Sequence, residues 1–289
     1  MQYLPRVKIH CWGGLGSQLY ALSMFLKLET RFPYRNFVIV FHTGGVSSRT
    51  YELSKFIASY KIIDDFVRIE SADIANSFSK KSFHRALLDF FKLIFIKTGF
   101  LALANDDSQF NKVKPWVFSI RGHYSDISIE DEIINVIYSK LKLLTTSSDL
   151  IQVSRKFSIH VRLGDLLTLE SKSPTNSLVL REQINKILNI HDLNAIDLFS
   201  DSPQLALKQI ENDFGFCEIS VYKVSPFDTV CCLANSLVLL GTSSKISIWS
   251  SIMKLRSETP FNVYLPKNLE VKFMKNIAKL SVGSKIEFY

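Results

Sequence analysis

AIDLFSDSPQLALKQIENDFGFCEISVYKVSPFDTVCCLANSLVLLGTSSKISIW, residues 195–249, alternates two textures. Short runs rich in apolar and β-branched residues (195–200, 217–224, 236–241) alternate with stretches of helical spacing (203–211, 226–234, 244–255). Ser225-Pro226 reads as a helix start, with serine at the cap and proline at the first helical position. Upstream, FSIHVR (157–162) reads as a strand and REQINKILN (181–189) as a helix; downstream, FNVYL (261–265) reads as a last strand. Regular strand–helix alternation predicts a parallel sheet wrapped by helices.

The first half opens in the same way. In RVKIHCW (6–12), Val7, Ile9 and Cys11 alternate with Lys8 and His10, as in a strand. Gly13, Gly14 and Gly16 follow, then a helical run from Ser17 to Glu29. FVIVF (37–41) is a second strand, Gly44-Gly45 begins a loop, and residues 50–115 read as mostly helical. Within them, KKSFHRALLDFFKLIFIK (80–97) sets Lys80, Lys81, Arg85, Lys92 and Lys97 beside Phe83, Phe90, Phe91, Ile94 and Phe95. Such a basic amphipathic helix suits an anionic bilayer surface. A core-facing helix with solvated lysines is the plainer alternative. Ser, Thr and charge cluster in TSSDLIQVSRK (146–156), which places a boundary there and divides the chain into domains 1–150 and 151–289.

Composition bounds the partners. The 289 residues are 47% hydrophobic and 21% charged, which excludes a disordered chain. A mean hydropathy of +0.12, with no run of eighteen uninterrupted apolar residues, excludes a polytopic membrane protein. Lys and Arg number 35 against 27 Asp and Glu, a net charge of +8 that favours anionic partners. The basic residues are spread out and no nucleic-acid motif occurs, so nucleic acid is not an expected partner. Cys11, Cys217, Cys231 and Cys232 show no zinc spacing, and the first ten residues lack a signal-peptide core. A reduced, cytoplasmic chain follows, with contact at the inner-membrane face an option for residues 80–97.

Four segments carry chemistry. GGLGSQL (13–19) turns a strand into a helix and offers backbone N–H groups at a helix start; Gly14, Gly16, Ser17 and Gln18 are its candidate ligand contacts. It lacks the spacing of a Walker loop or a dinucleotide fingerprint, and a plain tight turn is the alternative. In HVRLGD (160–165), His160 and Arg162 share one strand face. A guanidinium fork at a strand's C-terminal end suits a diphosphate, and Asp165 either holds Arg162 or caps a helix. The alternative is a surface ion pair beside a satisfied core histidine. In LFSD (198–201), Ser200 and Asp201 end another strand, as ligand contacts or as a helix cap. Thr242, Ser243 and Ser244 open a helix and are able to bind phosphate oxygens; plain capping of that helix by Thr242 or Ser243 is the alternative.

In order and spacing these segments resemble the α-1,2-fucosyltransferases of glycosyltransferase family 11. The family's opening Gly-Gly-Leu-Gly-Asn-Gln-Leu-Phe is GGLGSQLY (13–20) here. Its Gly-Tyr-x-Gln-Ser is weakly matched by RGHYS (121–125), its His-x-Arg-Arg-Gly-Asp is HVRLGD, and its Phe-Ser-Asp-Asp is FSDS (199–202). The C-terminal block Asn-Ser-Ser-Phe-Ser-Trp-Trp is echoed by GTSSKISIW (241–249). Ser17, Leu163 and Ser202 stand where the family has asparagine, a second arginine and a second aspartate.

The resemblance implies a GT-B-like α/β fold of two Rossmann-like lobes with a central cleft, an acceptor-side domain first and a donor-binding domain second. It implies an inverting transferase that moves L-fucose from GDP-fucose to a glycan hydroxyl without a metal or other cofactor. The acceptor would be an oligosaccharide or lipid-linked glycan of bacterial surface polysaccharide (O-antigen or capsule) synthesis. Arg162 and His160 carry over as catalytic residues. Asp165, Ser200, Asp201 and Thr242 to Ser244 carry over as donor contacts. A different nucleotide-sugar donor, or a nucleotide-sugar or polyanion binder without turnover, stays open.

Overall fold

The computed structural model describes residues 5–44, 50–63, 83–145, 157–163, 175–210, 217–255, 260–275 and 284–289, with backbone only for 55, 83–88 and 142–145. The chain divides into two compact α/β units, Met1–Ile129 and Glu130–Tyr289.

The first unit runs β1 (Val7–Trp12), α1 (Leu15–Arg31), β2 (Phe37–His42), β3 (Tyr60–Ile63), α2 (Phe83–Thr98), β4 (Leu101–Leu103), α3 (Asp107–Asn111) and β5 (Ser119–Arg121). Its sheet has the order β3-β2-β1-β5-β4 with every pair parallel. Val7 and Ile9 are fully buried, and α1 packs over β1 and β2. Among the described residues of 50–115, helix outweighs strand. β3, β4 and a 3-10 turn at Leu53–Lys55 lie there beside α2 and α3. These strands span four and three residues, too few for a period of two to declare itself, and Tyr60, Lys61 and Ile62 of β3 are exposed.

The second unit contains α4 (Asp131–Thr145), β6 (Phe157–Val161), α5 (Ser177–His191), β7 (Ala195–Ser200), α6 (Pro203–Ile210) and β8 (Glu218–Tyr222). It continues with α7 (Pro226–Asn235), β9 (Val238–Gly241), α8 (Lys245–Lys254), β10 (Asn262–Leu265), α9 (Glu270–Lys275) and β11 (Lys285–Phe288). The sheet order is β8-β7-β6-β9-β10-β11, all parallel. Numbered within the unit this is the doubly wound 3-2-1-4-5-6 arrangement, whose strand order reverses between β6 and β9. One face of β6 (Phe157, Ile159, Val161), with Leu163 beyond it, joins a core with Leu180, Ile184 and Ile187 of α5 and Ala206 and Ile210 of α6. Helix α7 packs on β6 and α8 on β9.

The two compact units divide between Ile129 and Glu130, where the sequence reading divides the chain between residues 150 and 151. Helix α4 packs on α7 and α8, with Ile133, Ile134, Ile137 and Leu141 buried, so it belongs to the second unit. The polar stretch 146–156, where the sequence places the boundary, lies outside the described residues.

Candidate functional site

The reversal of strand order between β6 and β9 sets the frame. Where neighbouring crossovers leave in opposite directions, the C-terminal ends of the two strands open a crevice. His160 pairs in register with Gly241 there, and Arg162 follows β6 directly. The two strand ends are laced together: Thr242 N–H donates to the His160 carbonyl at 3.1 Å, and Arg162 N–H donates to Thr242 Oγ1 at 3.0 Å. Next door, β6 and β7 pair with Val161 opposite Ser200, which brings Asp201 to the same edge. Its Oδ1 accepts from Leu163 N–H at 3.0 Å, and Ser200 Oγ accepts from Ser202 N–H at 3.0 Å.

His160, Arg162, Ser200, Asp201, Thr242, Ser243 and Ser244 are thus gathered at one sheet edge. The structure divides their roles. Ser244, and neither Thr242 nor Ser243, caps α8 by accepting from Ile246 N–H at 3.1 Å. Ser243 is tied to the Asn268 side chain at 2.8–2.9 Å. Thr242 latches the backbone of Arg162, so its hydroxyl positions the start of the segment that carries the guanidinium. Asp165 lies outside the described residues.

His160 is buried, with Nδ1 2.8 Å from Ser247 Oγ on α8. Burial pushes its pKa down to about 4; Asp201 opposes that shift and Arg162 adds to it. The imidazole is therefore neutral at neutral pH, a positioning group between β6 and α8 and not a cation for a leaving group. Ser247 was not read from the sequence. It reaches His160 because Gly241 lets α8 come close: a Cβ there would sit 2.6 Å from Ser247 Cβ and 2.9 Å from Leu265 Cδ2. Tyr289 also holds this corner, donating to the Gly241 carbonyl at 2.8 Å.

Leu163, where family 11 has its second arginine, is buried in the apolar cluster with Ile159 and Val161. Strand alternation carried one step past β6 explains it: position 162 keeps the face of His160, and position 163 keeps the core face.

The glycine turn belongs to the first unit and opens α1. Gly13 has φ +88°, a left-handed conformation that favours glycine. A Cβ on Gly14, the N-cap of α1, would meet nothing within 4 Å. Gly16 is buried inside α1 and Ser17 is half-buried in its first turn. Gln18 is fully buried with its amide engaged by backbone. Its Nε2 donates to the carbonyls of Gly13 at 3.1 Å and Thr50 at 2.8 Å, and its Oε1 accepts from Glu52 N–H at 2.8 Å. That pattern fastens a loop to the turn. The RGHYS segment is likewise built into the frame. Tyr124 is buried with its hydroxyl 2.7 Å from the His10 carbonyl, and a Cβ on Gly122 would lie 2.2 Å from the Ala104 carbonyl oxygen. His10 Nδ1 in turn lies 2.8 Å from His42 Nε2. Among the described residues no three His, Cys, Asp or Glu side chains gather as metal ligands.

No protein-family model matches the chain, and no curated protein does either. Distant likenesses exist among solved structures. E. coli heptosyltransferase WaaC with ADP-2-deoxy-2-fluoro heptose is 12% identical at a TM-score of 0.48, over 97% of this chain and 92% of that one. POFUT1 in complex with GDP is 8% identical at 0.43, over 91% and 98%. NodZ alpha-1,6-fucosyltransferase soaked with GDP-fucose is 13% identical at 0.41, over 86% and 92%. All three fall below a TM-score of 0.5, so the functional reading rests on this chain's own residues, and the resemblance to family 11 on the motifs quoted above.

Proposed function

We propose that the chain is a nucleotide-sugar glycosyltransferase whose second unit binds the donor diphosphate at the crevice between β6 and β9. The observation that carries this reading is the position of Arg162, directly after β6 at the reversal of strand order, with its backbone latched by Thr242. In the reaction an acceptor oxygen forms a bond to the anomeric carbon as the bond to the diphosphate oxygen breaks, inverting configuration. The acceptor hydroxyl gives up its proton and the nucleoside diphosphate leaves with its negative charge. A fixed guanidinium beside that group stabilises the developing charge. Asp201 supports the segment between them through Leu163 N–H, and His160 holds β6 against α8. The first unit takes the acceptor side.

In its finer form the proposal names GDP-fucose as donor and a glycan hydroxyl of a bacterial surface polysaccharide as acceptor; the ordered motifs GGLGSQLY, HVRLGD and FSDS support it. A nucleotide sugar other than GDP-fucose is the second reading, favoured by Leu163, a core residue in place of the family's second arginine.

The test is Arg162→Ala. Loss of one such electrostatic donor costs about 100- to 1,000-fold in turnover. The variant should melt like the parent and lose transfer, and slow donor hydrolysis, by that factor. GDP should raise the melting temperature of the parent and do so less for the variant. Full activity in Arg162→Ala refutes the assignment. Turnover with another nucleotide sugar but not GDP-fucose selects the second reading.

A further inference from the structure

The first unit carries an apolar surface that the reaction does not use. On α2, Phe90, Phe91, Ile94 and Phe95 are all exposed. At about 100° per residue they fall within an arc of about 140°. Leu93 and Ile96, on the opposite side, are half-buried, and α2 packs against β4. The surface continues past the helix. The Phe95 ring lies 6.3 Å from Phe100, and Phe100 stacks on Phe118 at 5.3 Å and 17°. Trp116 joins the helix end by donating from Nε1 to the Thr98 carbonyl at 2.9 Å. The patch is therefore one continuous surface built from α2, its C-terminal turn and the approach to β5. The exposure of its members ranges from 37% to 55%.

Its rim is basic. By the same spacing, Lys97 borders the arc on the side of Phe90 and Lys92 on the side of Phe95. Both are exposed, and Lys92 lies 3.5 Å from Asp89, the one acid of the helix. Exposed Lys114 reaches the helix end, where its Cγ would lie 2.9 Å from a Cβ on Gly99. Lysine is depleted where proteins bury one another's surfaces. Aromatic rings bordered by long cationic side chains instead match an acyl and anionic headgroup boundary, with the rings sunk and the ammonium groups at phosphate level. Among the described residues no helix is long and apolar enough to cross a membrane. The sixteen residues of α2 would lie in the surface plane.

We infer that the surface formed by α2, Phe100, Trp116 and Phe118 docks the protein on an anionic phospholipid bilayer. Beyond residues 80–97, it is Trp116, Phe100 and Phe118 that complete it; Lys80 and Lys81 lie outside the described residues. The inference does not depend on the transferase reading.

Trp116 makes it measurable. Of the three tryptophans, Trp116 is 47% exposed, Trp249 is fully buried, and Trp12 is half-buried beside the His123 ring. The full chain is mixed with phosphatidylcholine vesicles containing one third phosphatidylglycerol, and with phosphatidylcholine alone. The expected result is cosedimentation with the anionic vesicles, a blue shift of emission and protection from acrylamide. Trp116→Phe should abolish the spectral change while sedimentation persists. Phe91→Ser/Phe95→Ser should weaken partitioning about tenfold or more with an unchanged melting temperature. Lys97→Glu/Lys114→Glu should weaken binding to anionic vesicles and leave it salt-insensitive. A chain that stays in the supernatant with both vesicles, Trp116 still open to acrylamide, overturns the inference. So does a dimer in sedimentation velocity that Phe91→Ser/Phe95→Ser dissolves, since the surface is then covered by a second copy.

Discussion

His160 shows how one side chain couples the candidate site to the stability of its unit. It is buried among β6, β9 and α8, and its pKa is pushed down to about 4. An unfolded histidine titrates near 6.5. Above that value neither state binds the proton, and folding stability is complete. As pH falls from about 6.5 to about 4, the unfolded chain takes up a proton that the folded protein refuses, and stability declines. Between about pH 7 and about pH 5 the loss from this group is of the order of 2 kcal/mol. His160→Asn keeps a polar group within reach of Ser247 and removes the titration. Urea unfolding at the two pH values should show the parent losing that amount more than the variant. Equal losses in both would mean that the acid sensitivity arises elsewhere.

At the scale of elements, the turn between β1 and α1 is held by Gln18. Its amide closes three hydrogen bonds to backbone at Gly13, Thr50 and Glu52. Replacing it with leucine strands those three groups at about 1 kcal/mol each, so Gln18→Leu should destabilise the first unit by about 3 kcal/mol. The Glu52 amide should exchange with deuterium faster than in the parent. An unchanged Glu52 amide would refute the fastening role. Elements also differ in how far they could be read from sequence. β1, β2, β6, β7 and β9 are long or strongly apolar, and their alternation or continuous burial was plain in the residues. β3, β4, β5 and β11 have three or four residues each, and only pairing with a neighbour makes them strands. The same contrast holds in the site. His160 and Arg162 were legible because they are two apart on one strand. Ser247 is 87 residues from His160 and Asn268 is 25 from Ser243, so both contacts exist only once the sheet has closed. Gln18 was legible as a residue of interest, but the partners that occupy its amide were not.

For the molecule as a whole, the division between Ile129 and Glu130 sets which fragments are expected to fold alone. A fragment beginning at residue 151, as the polar stretch 146–156 suggests, would lack α4. The surfaces of α7 and α8 that α4 covers would then face water, and the burial of Ile133, Ile134, Ile137 and Leu141 would be lost. Burying one such side chain contributes of the order of 2 kcal/mol, and four together approach the net stability of a small domain. A fragment of residues 130–289 should therefore melt as one cooperative transition, and GDP should raise its melting temperature, because it holds Arg162, Thr242, Asp201 and their supports within one sheet. A fragment of residues 151–289 should melt lower, over a broader range, and bind hydrophobic dye. If the two fragments melted alike, α4 would be dispensable to the second unit. If 130–289 folded but GDP did not protect it, the diphosphate site would need residues that this unit does not contain.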